Sequence, residues 1–535
     1  MKKIVSLMMA STLALSATAF AACGKTGETK GDATLNVYAL NAGYKVEWLE
    51  GVKQAFVSEG WVKQKYGNVA VDIDEDSDVA YAADIIKSGR TANKYDVLFG
   101  MNLQSLYGLR GGKDYLLADL KDVYESTVPG ETIDVQNKML ESAVKANEYM
   151  NVKGEKSWYA MPWAGGYNGI LYNAEKLAES DYQVPVTTDE MLAIMAAETE
   201  KNGYSIMQSS KEGEKKATYW EHLFPTWWAQ YEGYDNYTKF WEGKVYNEET
   251  SSYEYSVDIF KQKGRLESLK VIESALKDNL YSLAPSTDYG PAQRMFVKGS
   301  GMFMACGDWF DMEMSDTIKD LVSHGDKVYD IQMMKTPVIS AINEKLDSIA
   351  DDDDATLAAV VRAIDNGETS YEGVSEEDFE TVKKARNILS SVGNYHTAVI
   401  PSYARNMDLA KDFLRYLATD KANEIYTQKT GGSGLFFKYN VKESNPTLYE
   451  TLSDTAKMRI DCFNSPDALV LPIPNNYNMF IYGNVRNFKT NFSSYEYLFT
   501  QTKTTAQILY DYDINKYTAT EWDAIQAILE GVGEE

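Results

Sequence analysis

The stretch "TLNVYALNAGYKVEWLEGVKQAF", residues 34–56, decides the fold class. Leu35, Val37 and Ala39 alternate with Asn36 and Tyr38, the period of a strand. Asn41-Ala42-Gly43 breaks that strand, and Val46 to Phe56 then carries apolar residues at helical spacing. The same alternation continues downstream. Val69–Ile73 reads as a second strand, Asp78–Ser88 as a helix stopped by Gly89, and "YDVLFG" (95–100) as a third strand. Strand, helix, strand, helix, strand predicts an α/β fold with a parallel sheet and crossover helices. In such folds the loops at the carboxyl ends of strands carry the site. Tyr44, in the first strand–helix loop, and Asn102, after the third strand, are therefore candidate ligand residues.

The chain has 535 residues, too many for one ordinary core, so two lobes or more are expected. A second α/β region starts near "WYAMPWAGGYNGILYN" (158–173) and includes an aromatic-dense stretch, 219–241. After the helix-like 266–277 comes "GPAQRMFVKGSGMFMACGDWF" (290–310), in which the apolar run 302–306 reads as a strand closed by Gly307-Asp308. "YDIQMMKTP" (329–337) is a further strand. Residues 338–393, with Asp351–Asp354 and Ser375-Glu376-Glu377-Asp378, read as an acidic helical insertion on a surface. "HTAVIPS" (396–402) is a strand, and 408–419 an amphipathic helix with Leu409, Phe413 and Leu417 on one face. The last hundred residues are aromatic-rich and mostly helical or irregular.

Charge and motifs narrow the function. With 79 acidic against 53 basic residues, the net charge of −26 argues against a nucleic-acid partner. "DIDEDSD" (72–78) fails as a calcium loop, because Ser77 and Ala83 stand where the turn glycine and the bidentate glutamate belong. The three histidines are scattered and there is no C-x-x-C, so no zinc site, other metal or cofactor is expected. No G-x-S-x-G, H-E-x-x-H or G-x-G-x-x-G occurs.

Met1–Ala22 starts with Lys2 and Lys3, runs uncharged through Ile4–Ala22 and ends in small residues: a signal peptide. Gly24-Lys25-Thr26 looks like the end of a phosphate loop, but Ala19 replaces its first glycine and no strand precedes it. "FAAC" (20–23) resembles instead a bacterial lipobox, which makes Cys23 the lipid-attachment residue and 23–33 a lipidated, flexible tether. Cys306 and Cys462 remain; spacing does not decide whether they pair.

Together these pieces resemble the extracellular solute-binding proteins of ABC importers, in the family 1 sugar-binding group that includes maltose-binding protein. The segments that carry the resemblance lie in order: "VEWLEGVKQAF", "IIKSGRTANKYDVLFG", "YAMPWAGGYNGILYN", "AQRMFVKGSGMFMACGDWF" and "AVIPSYARNMDLAKDFLRYLAT". Tyr95 replaces the proline usual in the second of these, and the insertion 338–393 and the long C-terminus depart from smaller members. The resemblance implies a two-lobed periplasmic-binding-protein type II fold with ligand in the cleft between lobes. One lobe is expected from 34–150 plus 330–430, the other from 151–329 plus 431–535. It implies a monomeric, non-enzymatic lipoprotein without cofactors, anchored at the outer face of the bacterial cytoplasmic membrane, that delivers an oligosaccharide to a permease.

A pyranose offers apolar C–H faces and a rim of hydroxyls, so rings on the faces and polar groups on the rim suit it. Trp309 follows the strand-like run 302–306, and the resemblance gives it the sugar-stacking position. Asp308 is the candidate rim carboxylate, or a helix N-cap. Trp163 and Tyr167 flank Gly165-Gly166, whose bare backbone allows close approach. Of the adjacent Trp227 and Trp228, one can line a subsite while the other packs inside; Trp228 is the candidate. A surface glycoside hydrolase, which needs only two carboxylates, and a peptide-binding or sensor lipoprotein of the same fold are the alternatives.

Overall fold

A computed structural model describes residues 33–111, 114–151, 153–209, 219–391, 393, 395–483 and 504–533. The expected signal peptide, Cys23 and the tether up to residue 32 lie outside the described residues. Two sheets organise the chain. The first has five strands in the order Val69–Asp76, Ala33–Leu40, Val97–Met101, His396–Val399, Met161–Ala164. Its first three strands are parallel, as the N-terminal pattern predicts, and His396–Val399 runs antiparallel to both its neighbours. The second sheet is antiparallel: Phe303–Gly307, Asn168–Asn173, Ile331–Met334.

The strand Ala33–Leu40 is covered on both faces, which suits a sheet with helices on each side. Leu35, Val37 and Ala39 enter one core with Trp48, Phe56 and Phe413, while Tyr38 and Leu40 enter another with Ile86 and Leu98. The helix Glu47–Ser58 buries Trp48, Leu49, Val52 and Phe56. It lies so close to the helix Asp420–Thr430 that a Cβ on Gly51 would be 2.7 Å from Ile425 Cγ2. Leu409, Phe413 and Leu417 of the helix Met407–Leu417 are buried in the same core, as their spacing predicts.

Three stretches depart from the expected division. Met161–Ala164, placed with the second lobe by sequence, is the edge strand of the first sheet. Leu435, Phe436, Phe437 and Tyr439, also placed there, pack with Trp48 and Phe413 because this run is apolar on both sides. The acidic segment 338–393 does contain helices, Asp354–Asp365 and Glu376–Arg386. It is not a surface insertion into the first lobe. Leu357, Val361, Phe379 and Val382 share the core of Trp220, Trp227 and Ile339. Asp354 and Glu376-Glu377-Asp378 lie in the first turns, where Asp353 and Ser375 cap the helices and the macrodipole favours negative charge. The apolar stripe behind them is free to be buried, each such side chain contributing roughly 1.5–3 kcal/mol.

The chain passes between the sheets at a few short places. Gly165, Gly166 and Tyr167 alone join Met161–Ala164 to Asn168–Asn173. Single bridges align the crossing segments: Ala164 with Leu435, and Tyr167 with Ser391. All the sequence candidates but Asn102 and Trp228 gather around these crossings.

Candidate functional site

The site is built on missing side chains. A Cβ on Gly166 would lie 2.6 Å from the Tyr44 hydroxyl, 2.8 Å from the Trp309 ring and 2.9 Å from Asp308 Oδ1. One on Gly307 would be 2.0 Å from Trp309 Cζ3, so the indole lies directly on bare backbone. Gly434 sits at φ +66°, and a Cβ there would be 2.3 Å from Tyr44 Cε1. Glycine is therefore required at Gly434 twice over, for its backbone conformation and for the space.

Around this floor the rings converge. Trp309 is half-buried at the N-terminus of the helix Phe310–Ser323 and meets the Tyr219 ring at 5.4 Å, nearly edge-on. Tyr44 reaches over from the first sheet's strand–helix loop, its hydroxyl donating to Asp308 Oδ1 at 3.4 Å. Burial, and then the Asp308 charge, push the Tyr44 phenol well above its usual pKa. Trp163, at the end of its strand, stacks on Trp48 at 4.9 Å and meets His396 edge-on at 5.4 Å. Its indole Nε1 is buried without a hydrogen-bond partner among the described residues.

Asp308 is placed in the cluster but not as a free rim carboxylate. It is 3% exposed. Its Oδ2 pairs with Arg459 Nε at 2.6 Å and accepts from the Gly434 N–H at 3.0 Å. Burial raises the carboxyl pKa, and Arg459, then the Gly434 N–H, oppose that. Nor does Asp308 cap the following helix, whose first turn has no side-chain cap. Arg459 does more than pair: its Nη2 donates to the Gly165 carbonyl at 2.5 Å and to the Leu435 carbonyl. One guanidinium thus ties two crossing segments to the end of a second-sheet strand. A buried pair of this kind is costly to break, because one charge is then stranded.

The remaining candidates separate. Tyr167 is buried in the core of Leu171 and Met333, and its hydroxyl is engaged by Thr336 N (3.0 Å) and Oγ1 (3.3 Å). Asn102, in the left-handed region at φ 53°, is exposed just past the carboxyl end of the first sheet's central strand, where its N–H donates to the Tyr395 carbonyl at 2.9 Å. Trp228 is not brought to the cluster. It is 2% exposed in the second-sheet core, 4.8 Å from the Tyr237 ring and 4.7 Å from Phe240, with Nε1 donating to Gln262 Oε1 at 2.7 Å. Helix packing decides this: Trp227 and Trp228 both face aromatic or aliphatic partners in that core. Cys306 and Cys462 are both free and buried, and burial pushes both thiols up.

Sequence reasoning missed five residues. Arg459 had no local signal. Tyr219 sits in the left-handed region, at φ 73°, and turns its ring onto Trp309. Asn168 opens the strand next to the crossing. His396 was legible in principle: the strand it opens is antiparallel, so its start lies at the edge where the parallel strands end, opposite Met101. Its ring lies 5.1 Å from Tyr44, and burial lowers its pKa to about 4, so it is neutral. Lys45, at φ 56°, links the two sides of the site: its Nζ reaches Asp316 at 2.7 Å and Ser315 at 2.9 Å on the helix Phe310–Ser323.

No known family profile and no curated protein matches this sequence. Solved structures do match. One comes from work on xylan utilization by the thermophilic bacterium Caldanaerobius polysaccharolyticus, at 12% identity and TM-score 0.53 over 90% of this chain and 99% of that one. The chain has the two-lobed solute-binding-receptor fold. The GacH receptor of Streptomyces glaucescens, solved unliganded and with acarbose, matches at 15% identity and TM-score 0.50, over 92% of this chain and 99% of its own. Maltose-bound MalE3 of T. maritima matches at 15% and 0.50, over 94% and 100%. In this receptor fold each lobe is an α/β unit, and the glycine floor with Trp309 and Tyr44 lies where the chain passes between the two sheets.

Proposed function

We propose that this protein is an extracellular receptor that captures a carbohydrate, in particular an oligosaccharide, between its lobes and passes it unchanged to an ABC-transporter permease. The observation that carries this is Trp309: an indole laid on the bare backbone of Gly307 and Gly166, against the Tyr219 ring and with the Tyr44 hydroxyl also over Gly166, where the two sheets meet. Stacking of C–H faces on such rings is how proteins hold sugars at low conformational cost. The structural neighbours solved with acarbose and with maltose support a carbohydrate over a peptide. Trp309, Tyr44 and Trp163 are the ligand-facing rings in this proposal, with Asp308 organising them rather than touching the sugar. Asn102 belongs to the rim.

In this reading the lobe of the strand Ala33–Leu40 includes Met161–Ala164 and the apolar run from Leu435, and the other includes 338–391. Gly165-Gly166 is a hinge between them, of the kind that closes such proteins on ligand. The N-terminal segment exports the chain and leaves it as a monomer tethered by lipid on Cys23 at the outer face of the membrane.

The test is a screen of the purified chain from residue 24 onward against mono- and oligosaccharides, by thermal shift and by an assay for cleavage of the same glycans. A bound sugar at 100 times its dissociation constant stabilises the folded protein by about 2.7 kcal/mol. A glycan that raises the melting temperature and is recovered intact is the expected result. Cleavage makes the protein a glycoside hydrolase and overturns the proposal, as does stabilisation by peptides and by no glycan.

A further inference from the structure

Asp308, the carboxylate nearest the floor, is already engaged by Arg459, Gly434 and Tyr44, so the polar half of ligand recognition must come from elsewhere. The side-chain amide of Asn168 is 1% exposed, and neither its oxygen nor its nitrogen has a hydrogen-bond partner among the described residues. Burying one polar group without a partner costs about 1–3 kcal/mol, and Asn168 leaves two unmatched. Native proteins tolerate that where a ligand or an ordered water completes the bonds.

Two independent registers place this amide beside Trp309. Asn168 is directly opposite Gly307 in the antiparallel pairing, and opposed residues project from the same face of a sheet. The face of Gly307 is the one covered by the indole. Asn168 is also two residues from Gly166, so in extended chain the two share a side, and the bare side of Gly166 meets the same indole. The ring and the vacant amide therefore flank one position.

We propose that Asn168 is a ligand-contacting residue, whose amide donates to one hydroxyl and accepts from its neighbour on the edge of the sugar that stacks on Trp309. This rests on the carbohydrate reading above and adds to it a chemical requirement. An amide offers one acceptor and two donors without charge, so the ligand presents a vicinal pair of hydroxyls there and no carboxylate or phosphate. Sites that bond a hydroxyl strongly reject the analogue that lacks it, because their own buried groups are then left unpaired.

The experiment uses the glycan found by the screen and its monodeoxy analogues, titrated calorimetrically against wild type, Asn168→Ala and Asn168→Asp. Wild type is expected to lose about 10- to 100-fold in affinity for one or two of the deoxy analogues. Asn168→Ala is expected to lose as much for the parent glycan, yet to bind those same analogues as wild type does. Asn168→Asp keeps the shape and acceptor but removes the donor; it serves if the alanine variant does not fold, and it is expected to weaken the parent glycan and to equalise one analogue with it. Variants that bind the parent glycan as tightly as wild type show that Asn168 holds only a water, and overturn the proposal while leaving the receptor intact. Equal losses for the parent and every analogue mean a structural role, and overturn it too. A wild type that binds no glycan overturns the carbohydrate reading itself.

Discussion

Trp309 and Trp228 are both tryptophans at helix termini or within helices of aromatic-rich segments, and the fold treats them in opposite ways. Trp228 is fully enclosed by Tyr237 and Phe240, with its Nε1 satisfied by Gln262. Trp309 lies on two glycines, half-buried, with an unpartnered amide on the same sheet face. The difference is in the neighbours. Trp228 also passes close to a glycine, Gly264, but is closed in on its other sides, whereas Trp309 rests on two glycines and keeps one open side. The glycines in "AGGYNG" and "ACGDWF" were visible in the sequence, whereas "PTWWAQ" has none, and that is the signal that separates the two.

The largest effect that sharpens the contrast belongs to the core ring. Trp228→Ala should destabilise the protein by about 3–5 kcal/mol, read as a lower denaturant midpoint, while the folded fraction keeps wild-type ligand affinity. A loss of affinity without a loss of stability would reverse the assignment of the two rings.

A second effect comes from the site's histidine. The folded-state pKa of His396 is lowered from 6.5 to about 4 by burial, so between those values the unfolded chain takes up a proton that the folded chain refuses. Its contribution to stability is full above pH 6.5 and is lost as pH falls towards 4, by about 3 kcal/mol. Asp311, raised to about 6 by burial, works in the opposite sense: stability from its neutral form is present at acid pH and lost as pH rises through 6. The difference between wild type and His396→Gln isolates the histidine. The variant should lose less stability from pH 6.5 to 4, and identical pH profiles would mean that His396 is not buried beside Tyr44 and Trp163.

The smallest effect is at the rim, where Lys45 joins Asp316 across the site. Asp316 is well exposed, and pairs of that kind are weak and screened by salt. Lys45→Ala should weaken ligand binding by at most about fivefold at low salt, and the difference should vanish at 1 M salt. A larger, salt-independent loss would make Lys45 a ligand contact.

Much of this was legible in the sequence, and the rest was hidden for physical reasons. The strands Ala33–Leu40, Val69–Asp76 and Val97–Met101 announce themselves by alternation, and Tyr44 and Trp309 by following strand ends. The acidic segment 338–393 misled because its runs of charge, at the caps and first turns of two helices, mask the apolar stripe Leu357, Val361, Phe379 and Val382 that packs. The Asp308–Arg459 pair and the Asn168–Gly307 register join residues distant in the chain, and no local pattern predicts such pairs. His396 was missed because the antiparallel direction of its strand, which brings its first residue beside Met101, has no local signature in the sequence.

The most direct test of the central claim is a calorimetric titration of the glycan found by the screen into wild type and Trp309→Ala, with melting curves of both. The stacking ring should be worth about 2 kcal/mol, so the variant is predicted to bind roughly 30-fold more weakly with its fold intact. Unchanged affinity in a folded Trp309→Ala protein would contradict the account.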